Sequence, residues 1–484
     1  MSKYHKIVLT IILSCFIIVH SSFAYDNLVT FGDSLTDSGN NRLLKPEYYN
    51  SENYSGGAYS NGKIWAEYLA GKLGINHTYL IANYFINMDW NPPEGKVWYN
   101  SAFGGAETGS GSLPPGLLTQ VGTWVKAGIK IPHNSLCIIW IGGNNFLNWI
   151  TDHSLTQDDS TEVTDNAVAD IIQALSVITD TETGLAATDV LIINLPNLGK
   201  TPANNGYFGN EDTEYGTLVS SLFNNKLTNA FNAFQASHPS VKMFLVDAYL
   251  FLEKAVENPQ EFGFNNTVKP ALFETKPEHG FDNMDKYLFW DGVHPTTEAH
   301  EAIASQIYGK ILFENANNDV IFVESHSNDT IGLEYTSQNF RFVSMSSDDY
   351  TCPNETKKPA FIYGLFDFTI TLENNDTFAE FTVYLPSAAP SNAKWYKATS
   401  EGWVDFSQES MNDPNNDGAV FSEDRKKVTI HITDNGPYDD DNAIGVIRDP
   451  SGLGSDESGA DLDSNESDTD SESSLGCFIQ TLFQ

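Results

Sequence analysis

The chain has 484 residues, and its 64 Asp and Glu residues against 26 Lys and Arg residues give a formal net charge of -38. Clustered Lys and Arg hold phosphate backbones, so a chain this acidic argues against a nucleic-acid partner. Single cores stop growing at roughly 250 to 300 residues, so more than one domain is expected. The 40% hydrophobic and 12% aromatic content is sufficient for substantial cores, which excludes a wholly disordered chain.

The chain begins with the pattern of a secretory signal. Two lysines precede an apolar run from Ile7 to Val19, and Ser22-Phe23-Ala24 offers small residues at the two positions that a signal peptidase reads. We therefore predict a signal peptide over residues 1–24 and a secreted, extracellular mature chain. Lipidation at Cys15 is a weaker alternative, because the apolar run continues past this Cys.

From residue 25 to about residue 315, short apolar runs alternate with amphipathic stretches. The runs typical of buried strands are NLVTFGDS, SLCIIWIGGNN, TDVLIINLPNLG and VKMFLVDAY. Apolar residues recur at helical spacing in GKIWAEYLAGKLG, DNAVADIIQALSVITDT and LVSSLFNNKLTNAFNAFQ,. This alternation predicts an α/β domain over residues 25–315, with a parallel sheet covered by helices on both faces. Ligands of such sheets bind at the carboxyl ends of the strands, where these runs turn polar.

The second half of the chain has a different pattern of apolar and polar residues. Segments such as DVIFVESH, PAFIYGLFDFTITL, FAEFTVYL and KKVTIHIT alternate apolar and polar residues between Asn, Asp, Pro and Gly turns. They predict an antiparallel β-sandwich domain over residues 316–452. Residues 453–474 have almost no apolar side chains, which predicts an acidic disordered linker. A short apolar tail, residues 475–484, follows it.

Three cysteines remain once the predicted signal peptide is removed. Cys137 lies inside the apolar run LCIIWIGG, which favours a small buried core residue. Cys352 and Cys477 could pair, but the acidic segment before Cys477 leaves that disulfide open. The Cys and His spacings do not resemble a zinc site.

Two separate segments carry the residue types of nucleophilic catalysis. Ser34 comes directly after the first predicted strand, where backbone N–H groups point outward and could meet a carbonyl. From this segment alone, an ordinary N-cap or turn Ser is an equally good interpretation. Asp291 and His294 stand three apart before a Pro and a helical stretch, so the carboxylate can contact one imidazole nitrogen and leave the other exposed. Together the three residues supply a nucleophile, its base and an orienting group.

Acyl transfer also needs hydrogen-bond donors for an oxyanion. The segment SAFGGA offers the backbone N–H of Gly105, and IGGNN offers the side-chain amide of Asn144 after a strand. Each segment alone is more often plain turn chemistry. With Ser34 and the Asp291–His294 pair, they complete the set that ester cleavage requires.

The blocks FGDSLTDSGN, SAFGGA, IGGNN and DGVHP, in this order, resemble the four blocks of the GDSL or SGNH hydrolase family. The segments YSNGKIWAEYLAGKLG, INLPNLGKTP and NPQEFGFNNT are similar to its bacterial phospholipase and acyltransferase branch. The resemblance covers about residues 26–313 and implies a flavodoxin-like three-layer fold and a serine ester-cleaving site without a cofactor. The roles it implies are nucleophile for Ser34, base for His294, orienting group for Asp291, and oxyanion donors for Ser34, Gly105 and Asn144.

One position departs from the family pattern. The third block usually reads Gly-x-Asn-Asp, whereas Asn145 stands in the last place here. The amide of Asn144 is retained, but the acceptor role of the usual Asp passes to a neutral side chain. This departure puts the support of the loop in doubt rather than the chemistry.

The resemblance implies a lipid acyl ester as substrate, either a phospholipid or a lysophospholipid, with acyl transfer to an alcohol such as a sterol also within that branch. Small-ester or carbohydrate deacetylation is the alternative among enzymes. An adhesion or surface-binding protein on an inactive hydrolase scaffold is the alternative of another class, disfavoured because every family catalytic position holds the expected residue type. Aromatic residues could line a groove for acyl chains or be ordinary core and surface residues; they are Tyr48, Tyr49, Tyr54, Tyr59, Trp90, Trp98 and Tyr99.

The segments GLFDFTITL, TVYLPSAAP, YKATSEGWVDF and KKVTIHITDNGPYDDDNAIGVIRDPSG, together with the final GCFI, lie within about residues 355–484. They resemble a bacterial extracellular module called a choice-of-anchor domain. The resemblance implies membrane or cell-surface contact through the C-terminal region, with Cys477 as a processing or attachment point. A frayed end with an unpaired thiol is an equally good interpretation of that Cys. One further pattern fits the opening of a calcium loop, but the expected Glu is missing at its last position, so an acidic β turn is favoured. The candidate ligands are Asp413, Asn415, Asp417 and Asp424.

Overall fold

The computed structural model describes residues 25–46, 53–147, 157–209, 212–274, 286–314, 316, 320–335, 339–352, 358–372, 376–400, 402–408 and 416–455. The predicted signal peptide, the apolar tail and Cys477 lie outside these residues. Over the described part of the chain, none of the helices is both long and apolar enough to cross a membrane.

A six-stranded parallel sheet forms the first half of the molecule. Its strands are β1 (Asn27–Gly32), β2 (His77–Leu80), β3 (Val97–Asn100), β4 (Ser135–Trp140), β5 (Asp189–Ile193) and β6 (Lys242–Val246), in the spatial order β2-β3-β1-β4-β5-β6. The four strands predicted from apolar runs are confirmed, and β1 lies at the centre between β3 and β4. The sequence reading missed β2 and β3, because each has only four residues and β2 is exposed at its first two positions.

Helices cover both faces of this sheet, as predicted. They are α1 (Asn40–Leu44), α2 (Trp65–Lys72), α3 (Ala82–Asn87), α4 (Leu117–Ala127), α5 (Gln157–Thr179), α6 (Thr213–Ser237), α7 (Ala248–Glu257), α8 (Ala271–Glu274) and α9 (Thr297–Leu312), with 3-10 turns at Leu198–Lys200 and Pro259–Phe262. A small parallel pair, β7 (Asn266–Pro270) and β8 (Tyr287–Phe289), precedes α9. One apolar core lies on each face of the sheet. Cys137 is fully buried in the first of them, as predicted.

The second half is a β-sandwich of antiparallel strands. The strands are β9 (Ile321–Glu324), β10 (Thr330–Tyr335), β11 (Asn339–Met345), β12 (Ala360–Phe361), β13 (Leu365–Thr371), β14 (Phe378–Tyr384), β15 (Lys394–Thr399), β16 (Gly402–Asp405), β17 (Gly418–Phe421), β18 (Lys427–Thr433) and β19 (Val446–Ser455). One sheet has the order β17-β18-β14-β10-β9 and the other β11-β13-β19-β15-β16, with β12 paired to β19. Alternating side chains of both sheets fill one core between them,. Strand β19 runs to Ser455 and so includes residues 453–455 of the predicted linker, whose remaining residues lie outside the described part of the chain.

Helix α9 joins the two halves. The side chain of Gln306 accepts from the backbone N–H of Phe322 at 2.9 Å and donates to the carbonyl of the same residue. Glu324 accepts from Ser305 at 3.0 Å and forms an ion pair with Lys72. The first sandwich strand is therefore fixed directly to the helix that follows the DGVHP segment.

Candidate active site

Ser34 lies in a tight turn directly after the central strand β1. Backbone hydrogen bonds from Thr36 and Asp37 to the carbonyl of Asp33 close this turn at 3.1 and 2.9 Å. Gly32 ends the strand where a Cβ would overlap the carbonyl oxygen of Trp140, so a side chain there would push β1 away from β4. The partly exposed Ser34 side chain therefore stands at the carboxyl edge of the sheet,.

The buried amide of Gln120 holds this strand end in place. Its oxygen accepts from the N–H of Gly32 at 3.0 Å, and its nitrogen donates to the carbonyl of Gly32 at 2.8 Å. Both backbone groups of the strand end are thereby satisfied by one side chain from α4. The sequence pattern did not point to Gln120, because Gly32, whose backbone it contacts, lies 88 positions earlier in the chain.

Asp291 and His294 meet Ser34 across the edge of the sheet. The Nε2 atom of His294 lies 2.9 Å from Ser34 Oγ, and Nδ1 lies 2.8 Å from Asp291 Oδ2. The backbone N–H groups of Val293 and His294 donate to Asp291 Oδ1 at 2.9 and 2.8 Å. The structure thus brings Ser34 together with His294, 260 positions later in the chain, and with the Asp291 that precedes this His by three positions.

The electrostatics of Asp291 favour its ionised form. Burial by itself would raise the pKa of this carboxyl, but the His294 charge and the hydrogen bonds from His294 and Val293 lower the pKa to about 2. A carboxylate that stays ionised near neutral pH holds His294 with Nδ1–H toward Asp291. The lone pair of Nε2 then faces Ser34.

Two tyrosines complete the surroundings of this pair. The hydroxyl of Tyr54 donates to Asp291 Oδ2 at 2.7 Å, and the ring of Tyr59 lies 5.2 Å from the imidazole of His294, centroid to centroid. The sequence considered both only as members of a possible acyl groove. No local pattern links Tyr54 to a carboxylate 237 positions later.

Asp37 fixes the loop that carries Gly105. This buried carboxylate accepts from the N–H groups of Gly39 at 2.8 Å, Asn40 at 2.6 Å and Gly104 at 2.9 Å. Burial raises the pKa of Asp37 to about 6 against the lowering effect of these donors. Gly105 itself is exposed, with φ of 80°, a backbone conformation that favours glycine. The first and second family blocks are therefore tied together by one side chain.

Replacing Asp37 with alanine should lower the free energy of unfolding by about 3 kcal/mol or more, because several buried N–H groups would lose a charged acceptor. Chemical denaturation monitored by fluorescence measures the change. Asp26→Ala is the matched control, since this exposed carboxylate contacts Lys96 and Asn134 at the surface, and its midpoint should not move. Equal midpoints for both variants would contradict the role given to Asp37.

The IGGNN turn faces the same edge of the sheet. One N–H of the Asn144 amide donates to the carbonyl of Ala106 at 2.9 Å, and an amide nitrogen carries a second N–H. Asn145 accepts from the N–H of Thr108 at 3.2 Å and donates to the Thr108 hydroxyl at 3.1 Å. Thr108 in turn donates to Asp170 at 2.9 Å. The doubt about loop support is therefore removed, since the Asn145 amide oxygen accepts one hydrogen bond from Thr108 and its nitrogen donates another.

An apolar slot opens beside Ser34 and His294. Its empty space is about 830 Å³, which includes the part open to solvent. Its polar lining residues include Ser34, Asn144 and His294. The walls are mostly apolar and include Leu35, Trp140, Leu147, Leu195, Leu198, Ala248, Phe251, Leu252, Leu288, Val293 and Ile303.

The slot differs from the aromatic groove that the sequence favoured. Trp98 is fully buried and donates its N–H to Thr30 at 2.9 Å, while Trp90 and Tyr99 pack against Trp124. None of these three aromatics lines the slot. Tyr54 and Tyr59 lie near His294, and Tyr48 and Tyr49 are outside the described residues. The slot instead lies between α7, α9 and the loops after β1, β4 and β5.

The calcium candidates are only partly described. Asp417 is buried and accepts from Thr433 through its N–H and its hydroxyl, both at 2.8 Å. Asp424 is exposed and accepts from Ser422 and Lys426 within its own turn. Asp413 and Asn415 lie outside the described residues. Within the described ranges, no group of three or more His, Cys, Asp and Glu side chains could hold a metal ion.

The fold is a parallel sheet covered by helices, and a Ser–His–Asp cluster lies at its carboxyl edge. The chain belongs to the GDSL-like lipase/acylhydrolase family, whose model matches residues 28–307. It is therefore a hydrolase of the GDSL lipase/esterase type, and the family implies an acyl ester as substrate. The match ends inside α9, so it does not extend to the sandwich, and the choice-of-anchor resemblance stays a prediction.

Relatives of this family are similar to the same part of the chain. The anther-specific proline-rich protein APG of Brassica napus is 25% identical over 329 residues, which cover 58% of this chain and 71% of that protein. The thermolabile hemolysin of Vibrio parahaemolyticus is 24% identical, covering 60% of this chain and 64% of the hemolysin. Among solved structures, Est24, a carbohydrate acetylesterase from Sinorhizobium meliloti, is 14% identical with a TM-score of 0.28, covering 58% of this chain and 98% of that one.

Proposed function

We propose that this protein is a secreted serine hydrolase that cleaves the acyl esters of lipids through an acyl-enzyme on Ser34. The observation that carries the proposal is the apolar slot, because Ser34, Asn144 and His294 line it together with aliphatic and aromatic side chains. A slot of this kind can bury a hydrocarbon chain while the ester carbonyl remains at its mouth.

The chemistry follows from the distances at the mouth of the slot. His294 Nε2, at 2.9 Å, takes the proton of Ser34 as Oγ attacks the ester carbonyl,. Asp291 stabilises the imidazolium that forms. In this proposal the oxyanion accepts from the N–H groups of Ser34 and Gly105 and from the amide of Asn144. His294 returns the proton to the leaving alcohol, and water or another alcohol then attacks the acyl-enzyme.

The negative charge of the chain indicates which class of lipid is the substrate. A formal net charge of -38 would be repelled by an anionic lipid surface, so contact must rely on apolar groups. We therefore propose neutral or zwitterionic lipids, with phosphatidylcholine and lysophosphatidylcholine as the first substrates to test. Acyl transfer is tested by adding cholesterol and looking for its ester.

The experiment measures fatty-acid release by the purified mature chain from phosphatidylcholine, lysophosphatidylcholine and an aryl acetate. Release from the lipids that a Ser34→Ala variant lacks would support the proposal. Turnover of the aryl acetate alone would move the substrate to small esters. If none of the three substrates is hydrolysed, the result would favour a binding protein on an inactive hydrolase scaffold.

The slot should set the preference for acyl-chain length. Ala248→Phe fills the slot and should lower kcat/KM for dodecanoyl esters relative to acetyl esters by about tenfold or more, since one mismatched group in an apolar pocket already has such an effect. Leu252→Ala enlarges the slot and should shift the ratio the other way. Parallel rates on aryl acetate and aryl dodecanoate measure both ratios. Unchanged ratios in both variants would place the acyl chain elsewhere.

Secretion is the part of the proposal that rests on residues 1–24. Their two lysines, apolar run and small residues before Tyr25 support cleavage by a signal peptidase,. N-terminal sequencing of the protein recovered from culture medium tests this. Tyr25 as the first residue is expected, whereas an uncleaved N-terminus in the cell fraction would overturn secretion.

A further inference from the structure

The sandwich domain contains a fully buried pair of opposite charges. Nζ of Lys397, on β15, donates to Oδ1 of Asp449, on β19, and the two side chains are 1% and 0% exposed. Among the described residues, the side chains of the other lysine–carboxylate pairs are 19% to 89% exposed. The pair therefore differs in kind from the surface ion pairs of this protein.

Both residues occupy inward-facing positions of paired strands. Lys397 lies opposite Ser451 in the antiparallel register of β15 and β19, so Asp449 is its diagonal neighbour,. Trp395 and Ile447, two residues before each partner, belong to the core between the sheets, and side chains alternate along a strand. The pair thus lies in the apolar interior.

The neighbours of the pair are apolar rings and one hydroxyl. Asp449 lies opposite the buried Phe368 on the neighbouring strand β13, and Nζ of Lys397 lies 5.8 Å from the ring centroid of Phe406. The second carboxylate oxygen of Asp449 accepts from the buried Ser451 hydroxyl at 2.9 Å. Burial of two charges carries a desolvation penalty that their attraction often does not repay. Condensation to an amide would remove both charges and keep the contact.

From this arrangement we infer that Lys397 and Asp449 form an intramolecular isopeptide bond. One proton passes from the ammonium to the carboxylate, and the amine lone pair attacks Cγ. The Nζ–Cγ bond forms, the Cγ–Oδ1 bond breaks, and Oδ1 leaves as water with a second proton from Nζ. Oδ2 becomes the amide oxygen and keeps its hydrogen bond from Ser451. The step needs no oxidant or cofactor, and fixed proximity of the two groups supplies its main advantage.

Lys397 also lines a polar cavity that is partly open to solvent and whose wall includes Tyr438, Asp439 and Asp440. The proposed reaction would release its water into this cavity. The bond would tie β15 to β19 across 52 positions of the chain. A cross-link between positions this far apart restricts the unfolded chain. The isopeptide bond would therefore stabilise the sandwich domain against unfolding, as a disulfide bond would.

The test is the mass of the denatured full-length mature protein. The wild type should be lighter than its sequence by one water molecule, and a protease digest should contain one branched peptide that joins Lys397 to Asp449. Lys397→Arg is the matched control, because arginine keeps the positive charge but its guanidinium does not attack a carboxyl group. Its mass should equal that of its sequence.

Either readout can overturn the inference. A wild-type protein of full sequence mass, with Lys397 and Asp449 in separate linear peptides, would show a plain ion pair. The wild-type digest decides the matter even where Lys397→Arg fails to fold. A water loss that maps to another peptide would also exclude this bond.

Discussion

Replacing Ser34 with alanine should reduce kcat/KM for a lipid ester by about 10⁴- to 10⁶-fold, because no other group would take up the acyl chain. In the structure His294 Nε2 lies 2.9 Å from Ser34 Oγ, and alanine removes that partner only. The Ser34 side chain is small and partly exposed, so its replacement by alanine removes little buried surface. The thermal midpoint should therefore change little while turnover disappears.

Ser176→Ala is the matched control for this prediction. Ser176 is an exposed residue of α5 whose hydroxyl donates to the carbonyl of Ile172, so its loss should leave the rate within about twofold. Titration with a fluorophosphonate probe adds a second readout, since the wild type and Ser176→Ala should be labelled and Ser34→Ala should not. A labelled or active Ser34→Ala protein would remove Ser34 from the reaction.

Replacing Asp291 with asparagine should reduce kcat by about 10⁴-fold with a small effect on KM. An amide N–H placed against Nδ1 favours the imidazole tautomer that carries its proton on Nε2, which cannot accept the Ser34 proton. The backbone donors Val293 and His294 can still bond to the amide oxygen, so the turn should persist. Steady-state kinetics over a range of lipid concentrations separate the two parameters.

Tyr54→Phe is the comparison that separates the orientation of the Asp291 carboxylate from its charge. It removes one hydrogen bond to Asp291 Oδ2 and keeps the carboxylate, so kcat should fall by about tenfold or less. Asp291→Asn activity within tenfold of the wild type would contradict the role given to Asp291.

The low pKa of Asp291 also determines how the contribution of this residue to stability changes with pH. Its folded pKa of about 2 lies below the ordinary value of 3.8. The stability that its ionisation contributes is therefore fully present above about pH 4 and is lost as the pH falls through the folded pKa. Loss of activity between pH 5 and 6 would not come from protonation of Asp291.

The local pattern of the sequence determined most of the α/β architecture. Uninterrupted apolar runs predicted β1, β4, β5 and β6, because strands buried on both faces need no alternation. The alternating segments predicted the sandwich for the opposite reason. Strands β2 and β3 escaped because four residues are too few for a period to be recognised,.

The sequence also pointed to Ser34, Asp291 and His294, since their residue types and neighbours follow recognisable blocks. Only the tertiary structure decided that Tyr54 contacts Asp291, that Asp37 holds Gly104, and that an apolar slot opens between α7 and α9. These contacts join side chains from segments that are far apart in the chain. Local periodicity and residue type carry no information on which distant side chains meet, because packing of the whole core sets those distances.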